Sequence, residues 1–191
     1  MKGYIQVYTG NGKGKTTAAI GLAVRAIGAG KRVFFLQFMK SLAYSEQIVM
    51  ARLDGITLKT VGKPFFIAEE GTFSAEKLQK WGDEVVVFPK GQPPAAYLTL
   101  IQSGVKLELA ALADNYDVVI LDEYNVALHF GLVTAADTNR LLAARRCETE
   151  LVFTGRGATT ELIDCADLVT EMKEVKHYYN QGVVARQGIE N

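Results

Sequence analysis

Thr9-Gly10-Asn11-Gly12-Lys13-Gly14-Lys15-Thr16-Thr17 joins two unlike stretches of chain. Before it, Tyr4 to Tyr8 is rich in β-prone residues; after it, Lys15 to Ala29 has helix-forming composition with apolar residues three and four apart. A glycine-rich turn from strand to helix that closes on Lys-Thr is where main-chain amides converge on a phosphate. Glycines accept positive φ, successive N–H groups point into one concavity, and the helix start adds partial positive charge. In such a loop Lys15 offers a cation to phosphate oxygens and Thr16 a hydroxyl to magnesium. The strict pattern wants glycine five residues before Gly14, and Thr9 stands there, so the loop is a variant. A glycine turn without a ligand is the competing reading.

Moving outward, Gly28 and Gly30 end the helix, and Val33-Phe34-Phe35-Leu36-Gln37-Phe38 is a nearly continuous apolar run, as expected for a strand covered on both faces. Ile56 to Val61 reads as a further strand. Helical spacing returns from Ala96 to Ala113, then Asp117 to Leu121 as strand, Ala135 to Ala144 as helix and Glu150 to Thr154 as strand. Glu161 to Cys165 reads as a short helix, Leu168 to Met172 as a strand and Gly182 to Arg186 as a last one. Such alternation predicts an α/β fold, a mainly parallel sheet with helices on both faces. Gly62 to Pro94 resists assignment because Pro64, Pro89, Pro93 and Pro94 interrupt it.

Val118-Val119-Ile120-Leu121-Asp122-Glu123 ends an apolar strand in two carboxylates, at the sheet edge where ligands of parallel sheets bind. Asp122 or Glu123 could hold magnesium, directly or through water. Solvated acids in a strand-ending turn are the alternative.

The 191 residues suit one domain spanning 1–191, with 62–95 as a divergent insert or substrate-side segment. Lys plus Arg and Asp plus Glu number 21 each, so no overall field attracts nucleic acid or an anionic membrane. Cys147 and Cys165 lack metal or redox spacing and read as small packing residues. Met1 to Thr9 runs into a strand pattern with no leader, and no apolar run approaches a membrane span, so the expected compartment is the cytoplasm.

The C-terminal third is more particular: Thr154-Gly155-Arg156-Gly157-Ala158, Ala166-Asp167-Leu168-Val169-Thr170-Glu171-Met172, Val175-Lys176-His177 and Ala185-Arg186-Gln187-Gly188-Ile189-Glu190. With Gly10 to Thr17, Arg25-Ala26 and Gln37-Phe38-Met39-Lys40, these closely resemble the ATP:corrinoid adenosyltransferases of the CobA/BtuR type, which serve cobalamin synthesis and salvage. The resemblance covers residues 1–40 and 117–190 in order. It implies a P-loop NTPase (RecA-like) fold and an unusual use of ATP. A Co(I) corrinoid attacks the ribose 5′ carbon and expels triphosphate, with the nucleotide reversed along the loop so that this carbon is exposed. No residue need act as base or nucleophile; the protein positions and neutralises charge.

By the same resemblance Thr9, Gly10 and Asn11 to Thr17 hold phosphates, Thr16 with Asp122 or Glu123 holds Mg2+ (or Mn2+), and Arg25 and Arg156 add nucleotide contacts. Lys176-His177 is also marked by the family, although His177 could equally pack or cap. A reduced flavoprotein is the implied electron donor and a homodimer the implied assembly.

The sequence departs from the family where a Gly-Phe-Thr-Trp-like segment usually supplies aromatic rings beneath the corrinoid. Here Gly62-Lys63-Pro64-Phe65-Phe66-Ile67 stands, with Phe65 or Phe66 as candidate platform, and the one tryptophan, Trp81, lies well downstream. Ser41 replaces a usual Gly, Arg146-Cys147 a usual Arg-Pro, and Tyr178 follows His177 where Pro is common. Two alternatives to adenosyl transfer follow: a corrinoid- and ATP-binding paralogue without activity, and an ordinary P-loop ATPase or kinase.

Overall fold

The computed structural model describes residues 2–41 and 44–190. Six strands form its main sheet: β1 (Ile5–Thr9), β2 (Val33–Phe38), β3 (Ile56–Val61), β6 (Val118–Asp122), β7 (Glu150–Thr154) and β8 (Leu168–Glu171). Their order is β3-β2-β6-β7-β1-β8, and every pair is parallel. The loop strand β1 is thus separated from the carboxylate strand β6 by β7, the RecA-like arrangement that the sequence led us to expect. The two strands end at one edge of the sheet, with the crevice between them occupied by the end of β7.

Alternation along the strands sorts the core into two layers. Phe35, Val118, Ile120 and Val152 face one way and pack with Ala19, Ala23 and Ala26 of α1 (Lys15–Gly28) and with Met50 of α2 (Ser45–Met50). Leu36, Val119, Leu121 and Phe153 face the other way. They pack with α4 (Ala95–Ala113), α5 (Tyr124–His129), α6 (Ala135–Ala144) and α7 (Thr160–Cys165). The helix face toward the sheet in α1 is built of alanines, which lets that helix sit close against β2, β6 and β7.

The stretch that sequence patterns left unread is a small unit of its own: β4 (Phe66–Glu69), α3 (Ala75–Trp81) and β5 (Val85–Phe88), with β4 and β5 paired in parallel. Ile67 and Phe88 anchor it to the main core. Three expectations need correction. Gly182 to Arg186 forms no strand; its backbone passes through turn and irregular conformations. Cys147 and Cys165 are exposed and do not serve as packing residues. The four-residue strand β8 is exposed at every position and ends at Glu171, one residue short of the predicted end. No helix among the described residues is long and apolar enough to cross a membrane.

Candidate active site

The phosphate loop is shaped by what lies against it. Gly10 and Gly14 have φ of 96° and 118°, which only glycine adopts without strain. A Cβ on Gly10 would fall 2.4 Å from the Met172 carbonyl oxygen, and one on Gly12 would fall 2.8 Å from the Lys173 carbonyl carbon. The chain after β8 therefore clamps the loop, and the Gly12 N–H donates to Met172 O at 2.7 Å. Thr9, at the position of the missing glycine, uses its hydroxyl to accept the Ala158 N–H at 3.2 Å and ties β1 to the loop after β7.

Lys15 is buried. It is 7% exposed, and its ammonium donates to the carbonyls of Gly10 and Gly12, both at 2.8 Å. Burial lowers its pKa, opposed by the nearby Glu123 and reinforced by Arg156.

Asp122, fully buried at the end of β6, is the hub of the site. Oδ1 accepts from Thr16 at 2.9 Å and Thr154 at 2.6 Å; Oδ2 accepts from Gln37 at 3.1 Å and from the Lys40 ammonium at 3.0 Å. Burial works against the Lys40 charge, but Asp122, Glu123 and Glu46 outweigh it and raise the pKa above the ordinary lysine value. Glu123 follows in the left-handed region at φ 61°, its N–H held by the Thr154 hydroxyl at 3.0 Å. Burial and the charge of Asp122 raise the Glu123 pKa, against the pull of Lys40, Lys15 and Arg156.

These groups border a cavity of about 690 Å³ lined by Asn11 to Thr17, Ile20, Lys40, Tyr44, Glu123, Arg156, His177 and Gly188 to Glu190, among others. A hollow of about 270 Å³ adjoins it, with Met39, Ser41, Lys63, Pro64, Phe65, Phe66 and Glu84 on its walls. Tyr44 lines both. In that hollow Phe65 is half-buried against Tyr97, with ring centroids 6.0 Å apart, and Phe66 is 56% exposed.

The profile of the ATP:corrinoid adenosyltransferase family BtuR/CobO/CobP matches residues 1–191. The chain belongs to this family. Among its relatives, the corrinoid adenosyltransferase CobA of Salmonella typhimurium is 32% identical over 190 residues, covering 99% of this chain and 86% of the relative. The corrinoid adenosyltransferase of Pseudomonas aeruginosa is 32% identical over 195 residues, covering 99% and 84%, and that of a Sinorhizobium species 34% over 191 residues, covering 99% and 80%. A solved helicase domain of Pyrococcus furiosus superposes with a TM-score of 0.40 at 14% identity, covering 97% of this chain and 38% of that one.

Against this family background, Asn11 to Thr17, Arg156 and Glu123 line one cavity, with Asp122 directly behind Thr16. Thr9 and Gly10 shape the loop from beneath and are not on the cavity wall. Arg25 is exposed on the last turn of α1, ten residues and roughly 15 Å of helix beyond Lys15, and does not reach the cavity. The Lys13 ammonium turns from the loop toward Ile189 O at 2.7 Å and Glu190 at 3.0 Å. His177 does both things open to it, since it lines the cavity and its Nδ1 accepts the Tyr179 N–H at 3.1 Å. Trp81, distant in sequence, comes to Phe66 and Phe73 with ring centroids 6.5 Å and 4.9 Å apart. Sequence reasoning missed Gln37, Lys40 and Thr154 as partners of Asp122. For Gln37 and Thr154 the available signal was a polar residue at the end of an apolar strand, where a parallel sheet presents side chains to its ligand edge.

Proposed function

We propose that this chain transfers the 5′-deoxyadenosyl group of ATP to the Co(I) of a reduced corrinoid, cobalamin or a precursor, and releases triphosphate. The observation that carries this reading is that a phosphate-loop cavity and an aromatic-walled hollow share the Tyr44 side chain as their common wall. Two substrates in these two spaces meet there. The electron pair of Co(I) forms the bond to the 5′ carbon while the carbon–oxygen bond breaks toward the triphosphate; no proton moves.

The work of the residues is then electrostatic. The loop amides from Asn11 to Thr17, the Lys15 ammonium and the Arg156 guanidinium receive the leaving polyanion, and only interactions that strengthen as its charge develops accelerate the step. To do so Lys15 exchanges the Gly10 and Gly12 carbonyls for phosphate oxygens. Oxygen donors on Thr16 and Glu123 fit a magnesium ion completed by phosphate oxygens and water, as such sites ordinarily are. Bound there, the ion would neutralise charge on the triphosphate. All four donors to Asp122 are already in place, so we assign it to orienting Thr16 and Lys40, and Glu123 to the ion. Phe65 and Phe66, with Trp81 behind, are the platform for the corrin face, and residues 62–95 its substrate-side segment within one 1–191 domain. We place the protein in the cytoplasm, and the family resemblance supports a homodimer that takes its electron from a reduced flavoprotein.

The test is incubation with ATP, Mg2+ and chemically reduced cob(I)alamin. A light-sensitive adenosylated product and triphosphate are expected; ADP or orthophosphate by phosphorus NMR would refute the reading, and tight corrinoid binding without turnover would make the chain a carrier.

A further inference from the structure

The segment after β8 runs back across the phosphate loop and stays there for a specific reason. Met172 exchanges hydrogen bonds with Thr9 and Gly12 at its start. At its end the Glu190 carboxylate gathers the Lys13 ammonium, the Tyr178 hydroxyl and three donors of Arg186: its N–H, its Nε at 3.3 Å and its Nη2 at 3.2 Å. Lys13 also donates to the Ile189 carbonyl. Between these points His177, Gly188, Ile189 and Glu190 form one side of the nucleotide cavity. Among the described residues that side has one 3-10 turn, Tyr178–Gln181, as its regular structure, and the chain from Val183 to Arg186 is irregular.

A second tether joins it to the small β4-α3-β5 unit: the Lys77 ammonium lies 4.9 Å from the Tyr179 ring while also facing Phe73 and Trp81. Cation–ring contacts of this kind contribute modestly at exposed sites; on the phosphate loop itself the segment is held at its start by the Met172 and Gly12 hydrogen bond and at its end by Lys13 and Glu190.

We propose that Lys13 and Glu190 form a lock that positions the C-terminal segment as a wall of the nucleotide cavity, so that Lys13 serves the wall through its side chain and the phosphates only through its main-chain amide. The chemistry favours this division. Phosphate would have to draw Lys13 from a carboxylate and a carbonyl at once, leaving that carboxylate to Arg186 and Tyr178 alone beside a polyanion. Glu190 supports the pairing: Arg186, Tyr178 and Lys13 hold its carboxyl far below the usual range. The proposal rests on the nucleotide reading above for its ligand alone.

Trypsin cleavage after Arg186 reports the docked segment without reference to activity. In the wild-type chain, saturating Mg-ATP should slow this cleavage. Lys13→Met and Glu190→Gln should each accelerate it, with and without ATP, and weaken ATP on the order of threefold to fivefold, the scale of a partly exposed ion pair. The double variant should be no worse than either single one. Cleavage that speeds up when ATP is added to the wild type would overturn the lock, since Lys13 would then be leaving Glu190 for phosphate. Tighter ATP binding by Glu190→Gln, or single variants as resistant as the wild type, would overturn it too. A wild-type chain that takes up no ATP refutes the functional reading instead, and the cleavage rates of the two variants still decide the lock.

Discussion

Replacing Glu108 by Gln should make the protein more stable, and increasingly so as pH rises. Glu108 projects from α4 into the core, is fully buried, and neither carboxyl oxygen has a hydrogen-bond partner among the described residues. Burial, with the charge of Asp137 behind it, raises its pKa well above the ordinary value. The sign follows from linkage. In the unfolded chain the group ionises near pH 4.3, whereas the folded chain keeps it neutral to higher pH. Stability is therefore complete below about pH 4.3 and falls by about 1.4 kcal/mol per pH unit above it, for as long as the folded carboxyl stays protonated. Gln has the same shape and no such penalty. The gap should widen by up to about 1.4 kcal/mol for each pH unit above pH 4.3, until the folded carboxyl itself ionises. For a chain of this size each such increment is about 3–6 °C in melting temperature. Urea titrations of both proteins at pH 5, 6 and 7 measure it. A gap independent of pH would show that Glu108 ionises alike in both states, and the reasoning from its isolation would fail.

Lys15→Ala should reduce adenosylation roughly hundredfold, the scale of losing one preorganised donor to the leaving charge; turnover within threefold of wild type would remove Lys15 from its role. Asp122→Asn leaves the Lys40 ammonium without its carboxylate and should destabilise by about 3 kcal/mol, as removal of one partner of a buried pair does, together with loss of activity. An unchanged denaturation midpoint would contradict the hub assigned to it. Phe66→Ala removes a ring that is 56% exposed, so stability should change by less than about 0.5 kcal/mol. Corrinoid affinity should drop about fivefold with ATP affinity unchanged; equal loss for both ligands would mean the ring belongs to the core.

The central strands Val33–Phe38 and Glu150–Thr154 were legible because they are buried almost throughout, so that a continuous apolar run marks them. Ile56–Val61 and Ala135–Ala144 also fall where β-prone composition and helical spacing put them. The Gly62 to Pro94 stretch failed for the opposite reason: β4 and β5 are four residues each, too short for a period to emerge, although Val85-Val86-Val87-Phe88 carried the β-branched composition of a strand. Gly182 to Arg186 carries only two such residues and is irregular, the Arg186 N–H going to the Glu190 carboxylate and not to a neighbouring strand. At the site, the motifs and the resemblance singled out Lys15, Thr16, Asp122 or Glu123, and Arg156, and the fold brings Lys15, Thr16, Glu123 and Arg156 to one cavity with Asp122 behind Thr16. Lys40 was not legible, because nothing local marks a lysine after a strand as the partner of a carboxylate 82 residues away. Its direction depends on Met39 taking φ 56°, a conformation that sequence does not announce in methionine.

The same arrangement explains why a cavity built like a phosphoryl-transfer site suits loss of the whole triphosphate. Phosphoryl transfer to a hydroxyl or water needs a group to orient the nucleophile and take its proton. Here the deepest carboxylate, Asp122, has each oxygen committed to two donors, one of them the Lys40 ammonium, and gaining a proton would mean giving a donor up. Attack by a metal-centred electron pair demands no such base. It demands that the far end of the nucleotide be held while the near end stays open, and that positive charge gather where the phosphates depart. Lys15, Arg156 and the loop amides stand at the one, and the Tyr44 wall leads from there to the aromatic hollow at the other. A site that spends its acid on fixing cations in place, and keeps its rings for the partner substrate, fits a reaction in which the enzyme handles charge and leaves bond-making to the cobalt.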